Sequence, residues 1–110
     1  MDTTSTINEL YQTLHSQGIV ATQKEFYRDW LNRSECYFRY LKLKDKAQSA
    51  DTLAICRSKL KYYGSLLEKT QHKNLARDFT IYSKKLDEVI SANAQLKWLD
   101  LNVSSTTNTI

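Results

Sequence analysis

The chain has 110 residues, with 16 Lys and Arg against 12 Asp and Glu, a formal net charge of +4 and a pI near 9.1. That length suits one domain around one modest core. No window approaches the roughly 18 apolar residues that a membrane-spanning helix needs, and residues 1–6 are polar, with neither the basic start nor the apolar run of a secretory signal. The expectation is a single cytoplasmic domain over residues 1–101 with no membrane partner.

There is no proline, glycine occurs only at Gly18 and Gly64, and the apolar residues recur at spacings of three and four. This pattern predicts an all-α fold of about five helices. Thr6 followed by Glu9 has capping-box spacing and predicts the start of the first helix. Ile7, Leu10, Tyr11 and Leu14 are its apolar face, and Gly18 closes it in a left-handed conformation. Thr22 and Glu25 repeat the capping box and open a second helix whose core residues are Phe26, Trp30 and Leu31. Asn32 and Arg33 break the pattern as a tight turn, since Asn tolerates positive φ better than other non-glycine residues.

Ser34 then caps a third helix, with Glu35 complementing its N-terminal dipole. Tyr37, Phe38 and Leu41 form its buried side, and Arg39, Tyr40 and Lys42 its outer faces. Asp45 to Gln48 is a polar loop, and Ser49 caps a fourth helix with apolar positions Leu53, Cys56, Leu60, Tyr63 and Leu67. After a break at Thr70 to Lys73, a fifth helix carries Leu75, Phe79, Tyr82, Leu86 and Val89. The last two series are heptad-like over about two repeats, which suits an antiparallel hairpin of helices 4 and 5, with pairing between chains as the alternative. Residues 102–110 are rich in Ser, Thr and Asn without periodicity and read as a disordered tail. One core should hold Phe26, Trp30, Phe38, Leu41, Leu53 and Leu60.

Two short capped helices, a tight turn and a third capped helix are the order of a helix-turn-helix unit, here residues 22–44. The segments Thr22-Gln23-Lys24-Glu25-Phe26, Trp30-Leu31-Asn32-Arg33-Ser34, Phe38-Arg39-Tyr40-Leu41-Lys42 and Ser49-Ala50-Asp51-Thr52-Leu53 resemble the Cro and lambda-repressor type of DNA-binding domain. In that family a Gln opens the second helix, a Ser or Thr caps the recognition helix with apolar residues four and seven positions beyond, and a Ser-x-x-Thr-Leu segment opens the next helix. This chain has Tyr27 where the family has a small alanine, and Arg33 where it has a buried aliphatic residue. The resemblance implies a small DNA-binding transcriptional regulator. It places Gln23 at a phosphate and Glu35, Cys36, Tyr37 and Arg39 towards base edges.

The charge pattern agrees with a polyanionic partner. Between Arg33 and Lys61 there are eight basic residues and three acids, and Lys42, Lys44 and Lys46 lie at the exit of helix 3, where phosphates would pass. The candidate DNA-binding set is Gln23, Arg33, Ser34, Glu35, Tyr37, Arg39, Tyr40, Lys42, Lys44 and Lys46. Against it stands an ordinary solvated helix face. The competing function is a helical protein-interaction module, an adaptor or inhibitor, using the basic, tyrosine-rich surface. The chain has seven tyrosines, and Tyr37, Tyr40, Tyr62 and Tyr63 cannot all face one small core. A homodimer through the C-terminal helix fits either reading.

No enzyme is expected. His15 and His72 are isolated, no glycine-rich phosphate loop exists, and Asp87-Glu88 reads as a solvated acidic pair rather than a catalytic dyad. Cys36 and Cys56 lack neighbouring ligands and read as small buried or half-buried apolar groups, so neither a metal nor a cofactor is expected.

Overall fold

A computed structural model describes residues 3–44 and 46–109, with side chains for all of these except Glu35 and residues 101–109. Five helices follow in order: α1 (Thr3–Ser16), α2 (Gln23–Trp30), α3 (Glu35–Lys44), α4 (Ala50–Leu67) and α5 (Lys73–Thr109). The fold is all-α, with no strand among the described residues.

The local signals explain most of the boundaries. Gly18 adopts φ +75°, and the Ile19 and Gly18 amides donate to the Leu14 and His15 carbonyls at 2.9 and 3.0 Å, the crossed pair of a Schellman closure. Thr22 caps α2 by accepting from the Glu25 amide at 3.2 Å. The Glu25 carboxylate reaches back one residue further than a standard capping box, to the Ala21 amide at 2.6 Å. Asn32 takes the positive φ, 56°. Ser34 accepts from the Tyr37 amide at 3.3 Å, and Ser49 accepts from Thr52 at the start of α4 at 3.3 Å.

Three expectations meet differences. Helix α1 begins three residues before the Thr6 box, and Thr6 is buried inside it; the earlier start is anchored on α5, where the Asn93 amide group donates to Thr3 Oγ1 at 3.2 Å. Helix α5 extends to Thr109, across the segment whose composition suggested a tail, and no Gly or Pro after Gly64 interrupts it. Cys36 is exposed while Cys56 is buried, because Cys36 sits in the first turn of α3 on the side opposite Phe38 and Leu41. Asp45 of the expected loop lies outside the described residues.

The core gathers Leu10 and Leu14 of α1, Phe26 and Trp30 of α2, Leu53, Cys56 and Leu60 of α4, and Phe79, Leu86 and Val89 of α5. Phe38 is only partly buried against it, and Leu41 is buried beside rather than within that cluster. Helices α4 and α5 form the antiparallel hairpin. A Cβ added at Gly64 would sit 3.4 Å from the Phe79 Cβ, so the two helices pack closely there. Tyr63, an expected core position, is exposed at the core's edge, its ring centre 5.7 Å from that of Trp30.

Candidate nucleic-acid interface

Helix α3 lies at the periphery with one face packed. Leu41 is buried and Tyr37 and Phe38 are half-buried, whereas Cys36, Arg39, Tyr40, Lys42, Leu43 and Lys44 are exposed. Its orientation is fixed at both ends. At the N-terminal end, Arg33 Nε donates to Thr52 Oγ1 at 3.0 Å, and the guanidinium lies 4.6 Å from the centre of the Tyr37 ring. Thr52 is fully buried and shares a 2.9 Å hydrogen bond with Ser49 Oγ. The Tyr37 hydroxyl accepts from the Ser49 amide at 3.4 Å. Burial would raise the Tyr37 phenol, but its hydrogen bonds with Thr52 and Ser49 and the nearby Arg33 charge bring it below the ordinary value.

This polar knot ties the α2–α3 turn to the first turn of α4. The Arg33 stem is half-buried and its head finds a hydroxyl and a ring face, so the guanidinium is accommodated at the edge of the core without losing all its partners. At the C-terminal end the Lys46 amide donates to the Leu41 carbonyl at 2.9 Å. Lys42 Nζ lies 5.0 Å from the Phe38 ring centre and Lys46 Nζ 5.8 Å from that of Tyr40. Lys42 and Lys44 also occupy the last turn of α3, where positive charge complements the helix dipole.

The candidate residues therefore divide into two groups. Arg33, Ser34 and Tyr37 are engaged in holding the turn and α3. Gln23, Arg39, Tyr40, Lys42, Lys44 and Lys46 are exposed. The Glu35 side chain is outside the described set. Gln23, Lys42 and Lys46 come together around a depression of about 330 Å³ between α1, α2 and α3, floored by Tyr27 and Phe38. Two cations and a neutral amide there can position an anion such as a backbone phosphate by charge and hydrogen bonding. Tyr27 itself is buried, and burial raises its phenol while a 3.2 Å hydrogen bond from the Gln48 amide opposes the rise.

Sequence reasoning missed two surface features. Leu43 is 85 % exposed between the α3 lysines, a bulky apolar side chain in a basic stripe. On the opposite end of the hairpin, Ile19, Trp30, Tyr63, Leu66, Leu67, Leu75 and Phe79 line a groove of about 440 Å³. The adjacent pairs Tyr62-Tyr63 and Leu66-Leu67 were its only sequence signal, because one helix cannot bury four such neighbours on one face.

No curated protein and no solved structure matches the chain. A family model does match, over residues 7–99, which takes in most of α1, all of α2 to α4 and α5 as far as Leu99. The chain belongs to a family of unknown function, DUF6626.

Proposed function

We propose that this protein is a small, non-enzymatic transcriptional regulator that binds duplex DNA in the cytoplasm through α3. The carrying observation is the division of labour just described: Arg33, Ser34 and Tyr37 lock α3 onto α4, and its outer side carries Arg39, Tyr40, Lys42 and Lys44, with Lys46 just beyond. A rigid helix with an exposed basic face is what groove insertion requires, with base edges reached by the guanidinium and phosphates by the lysines. A second copy of the chain, joined through α5, belongs to the same reading, because operators read by such units are commonly two-fold.

The test is fluorescence anisotropy with random-sequence and genomic duplexes at two salt concentrations. Three lysines at phosphates imply a log–log salt slope of about −2.7 and roughly a 40-fold loss of affinity between about 50 and 200 mM salt. The second reading, an adaptor or inhibitor that binds a protein, is favoured by the apolar groove of Ile19, Trp30, Leu66 and Phe79. Absence of duplex binding at low salt, with salt-insensitive capture of a protein partner, would put that reading first.

A further inference from the structure

Helix α5 has 37 residues against 18 in α4, so about half of it extends beyond its hairpin partner. Residues 91–100 are exposed all round the helix, and Leu96, Trp98 and Leu99 are exposed by 67, 52 and 41 %. The described tertiary hydrogen bond of this stretch is the one from Asn93 to Thr3 of α1, and a helical extension with so little packing is marginal in water at this length. Along the outer side of the whole helix, opposite the Phe79–Leu86 face, a second stripe runs through Arg77, Ile81, Lys84, Glu88, Ser91 and Gln95. Its spacing of 4, 3, 4, 3, 4 keeps these residues on one face. Every one of them is exposed, Ile81 is the apolar residue among them, and the rest are polar or charged, so any pairing through this face is specified by charge.

Two charged residues of α5 pair with neighbouring helices. Lys85 pairs with Glu9 at 3.3 Å, and Asp87 pairs with Arg57 and Lys61 at 2.8 and 3.7 Å. Among the described residues, Lys84 and Glu88 on the outer stripe have no ion pair within the chain. They lie two residues either side of position 86 and carry opposite signs. If a second α5 is laid antiparallel with its two-fold axis at the level of residue 86, each Lys84 faces the Glu88 of the other copy. In the same register Ile81, which is 43 % exposed, falls opposite Ser91 and beside Ala92, whose small side chains leave room for it. Trp98 reaches the Asn74–Arg77 turn, where the guanidinium can stack on the indole.

We infer that α5 is a dimerisation helix whose outer stripe pairs antiparallel with a second copy of this chain, in the register set by Lys84 and Glu88. The pairing is isologous and closes on itself, so it yields a dimer rather than a filament. The inference rests on the dimer part of the reading above and not on DNA binding.

Sedimentation velocity across a range of protein concentrations tests it, with far-UV circular dichroism confirming that each variant is folded. The parent should show a concentration-dependent dimer. Lys84→Glu and Glu88→Lys should each weaken it about tenfold or more, since each places like charges opposite each other twice across the axis. An equimolar mixture of the two single variants should recover most of the lost affinity as a heterodimer. Each copy then meets the opposite sign across the axis while its own helix still carries like charges at 84 and 88, so relief of intrahelical repulsion cannot produce the recovery. A parent that is monomeric at all concentrations, single variants that dimerise like the parent, or a mixture as weak as the singles would each overturn the pairing. Duplex binding is measured separately by anisotropy, so a monomer that binds DNA defeats only the dimer, and a dimer that ignores DNA defeats only the DNA reading.

Discussion

The rings of Tyr27 and Phe38 meet edge-on across the α2–α3 contact, with centroids 4.8 Å apart and planes inclined by 62°. Tyr27 continues inward to Phe26, and Phe26 to Tyr11 of α1, at 5.8 and 5.5 Å. Helices α2 and α3 are thus coupled through aromatic edges. Because Phe38 is only partly buried, Phe38→Ala should cost about 2 kcal/mol, below the roughly 3–5 kcal/mol of a fully buried Phe. Urea denaturation should rank it milder than Phe26→Ala. Equal losses would mean that Phe38 is as central to the core as Phe26.

Arg33 supplies the second coupling, from the turn to Thr52. Replacing it with alanine should destabilise by roughly 1–2 kcal/mol, the cost of leaving a buried hydroxyl short of a partner and losing the stacked stem. Lysine should not rescue, because an ammonium reproduces neither the flat stacking on Tyr37 nor the Nε geometry. Chemical denaturation of Arg33→Ala and Arg33→Lys decides this, and full rescue by lysine would reduce the interaction to charge alone.

The two cysteines should behave as opposites. Cys36 is exposed and Cys56 buried, and burial pushes the Cys56 thiol up to about 12, with Lys59 opposing. A thiol reagent should therefore titrate one cysteine quickly in the native protein and the second only on unfolding. The same shift has a sign for stability. The folded state keeps the Cys56 proton while the unfolded thiol loses it near 9.0, so its contribution is complete below pH 9 and is lost as pH rises towards 12. Tyr27, raised chiefly by burial, acts in the same direction, and Tyr37, lowered, acts against it. Denaturation midpoints should fall on the alkaline side, and Cys56→Ala should flatten part of that fall.

Gly64 sits in mid-helix with the Phe79 Cβ 3.4 Å from where its own Cβ would be. An alanine methyl fits at ordinary contact and removes the glycine's backbone entropy, so Gly64→Ala should be neutral or stabilising by up to about 1 kcal/mol. Gly64→Leu should destabilise by roughly 1–3 kcal/mol through overpacking, since α4 and α5 must separate to admit it. Thermal melts of the two variants that moved together would show that helix propensity, not hairpin spacing, sets the site.

Much of the fold was legible because its signals are local. Thr22, Ser34, Ser49, Gly18 and Asn32 each fix a boundary through hydrogen bonds or backbone conformation within a few residues, and each does so here. What the sequence left obscure is tertiary. The early start of α1 depends on Asn93, 90 residues away, and Tyr27 is buried against Phe38 although the expected core did not include it. The candidate site was legible as a charge cluster, and periodicity already put Tyr37 on the buried side of α3 and Lys42 on the outer one, but nothing in a linear reading separates Arg33, which holds the turn, from Lys42 and Lys44, which are exposed. That division requires the Thr52 hydroxyl to be placed beside the turn.

The DNA reading itself separates Arg39 from Lys42. Arg39 lies one turn into α3 on its exposed side, where a guanidinium can donate two hydrogen bonds to a guanine edge. Its replacement by alanine should reduce discrimination between duplex sites by about 1–3 kcal/mol while leaving weak binding in place. Lys42 lies in the last turn beside Gln23 and Lys46, a position suited to phosphate only. Lys42→Ala should weaken all duplexes alike and lower the magnitude of the salt slope by about one. Neither change touches the Arg33–Thr52 link, and thermal melts run beside the titrations separate a loss of binding from a loss of folding. Anisotropy titrations with a preferred and a random duplex at several salt concentrations give both readouts. If both variants bind every duplex as the parent does, α3 is not a recognition helix, and the apolar groove beside Trp30 and Leu66 becomes the leading functional surface.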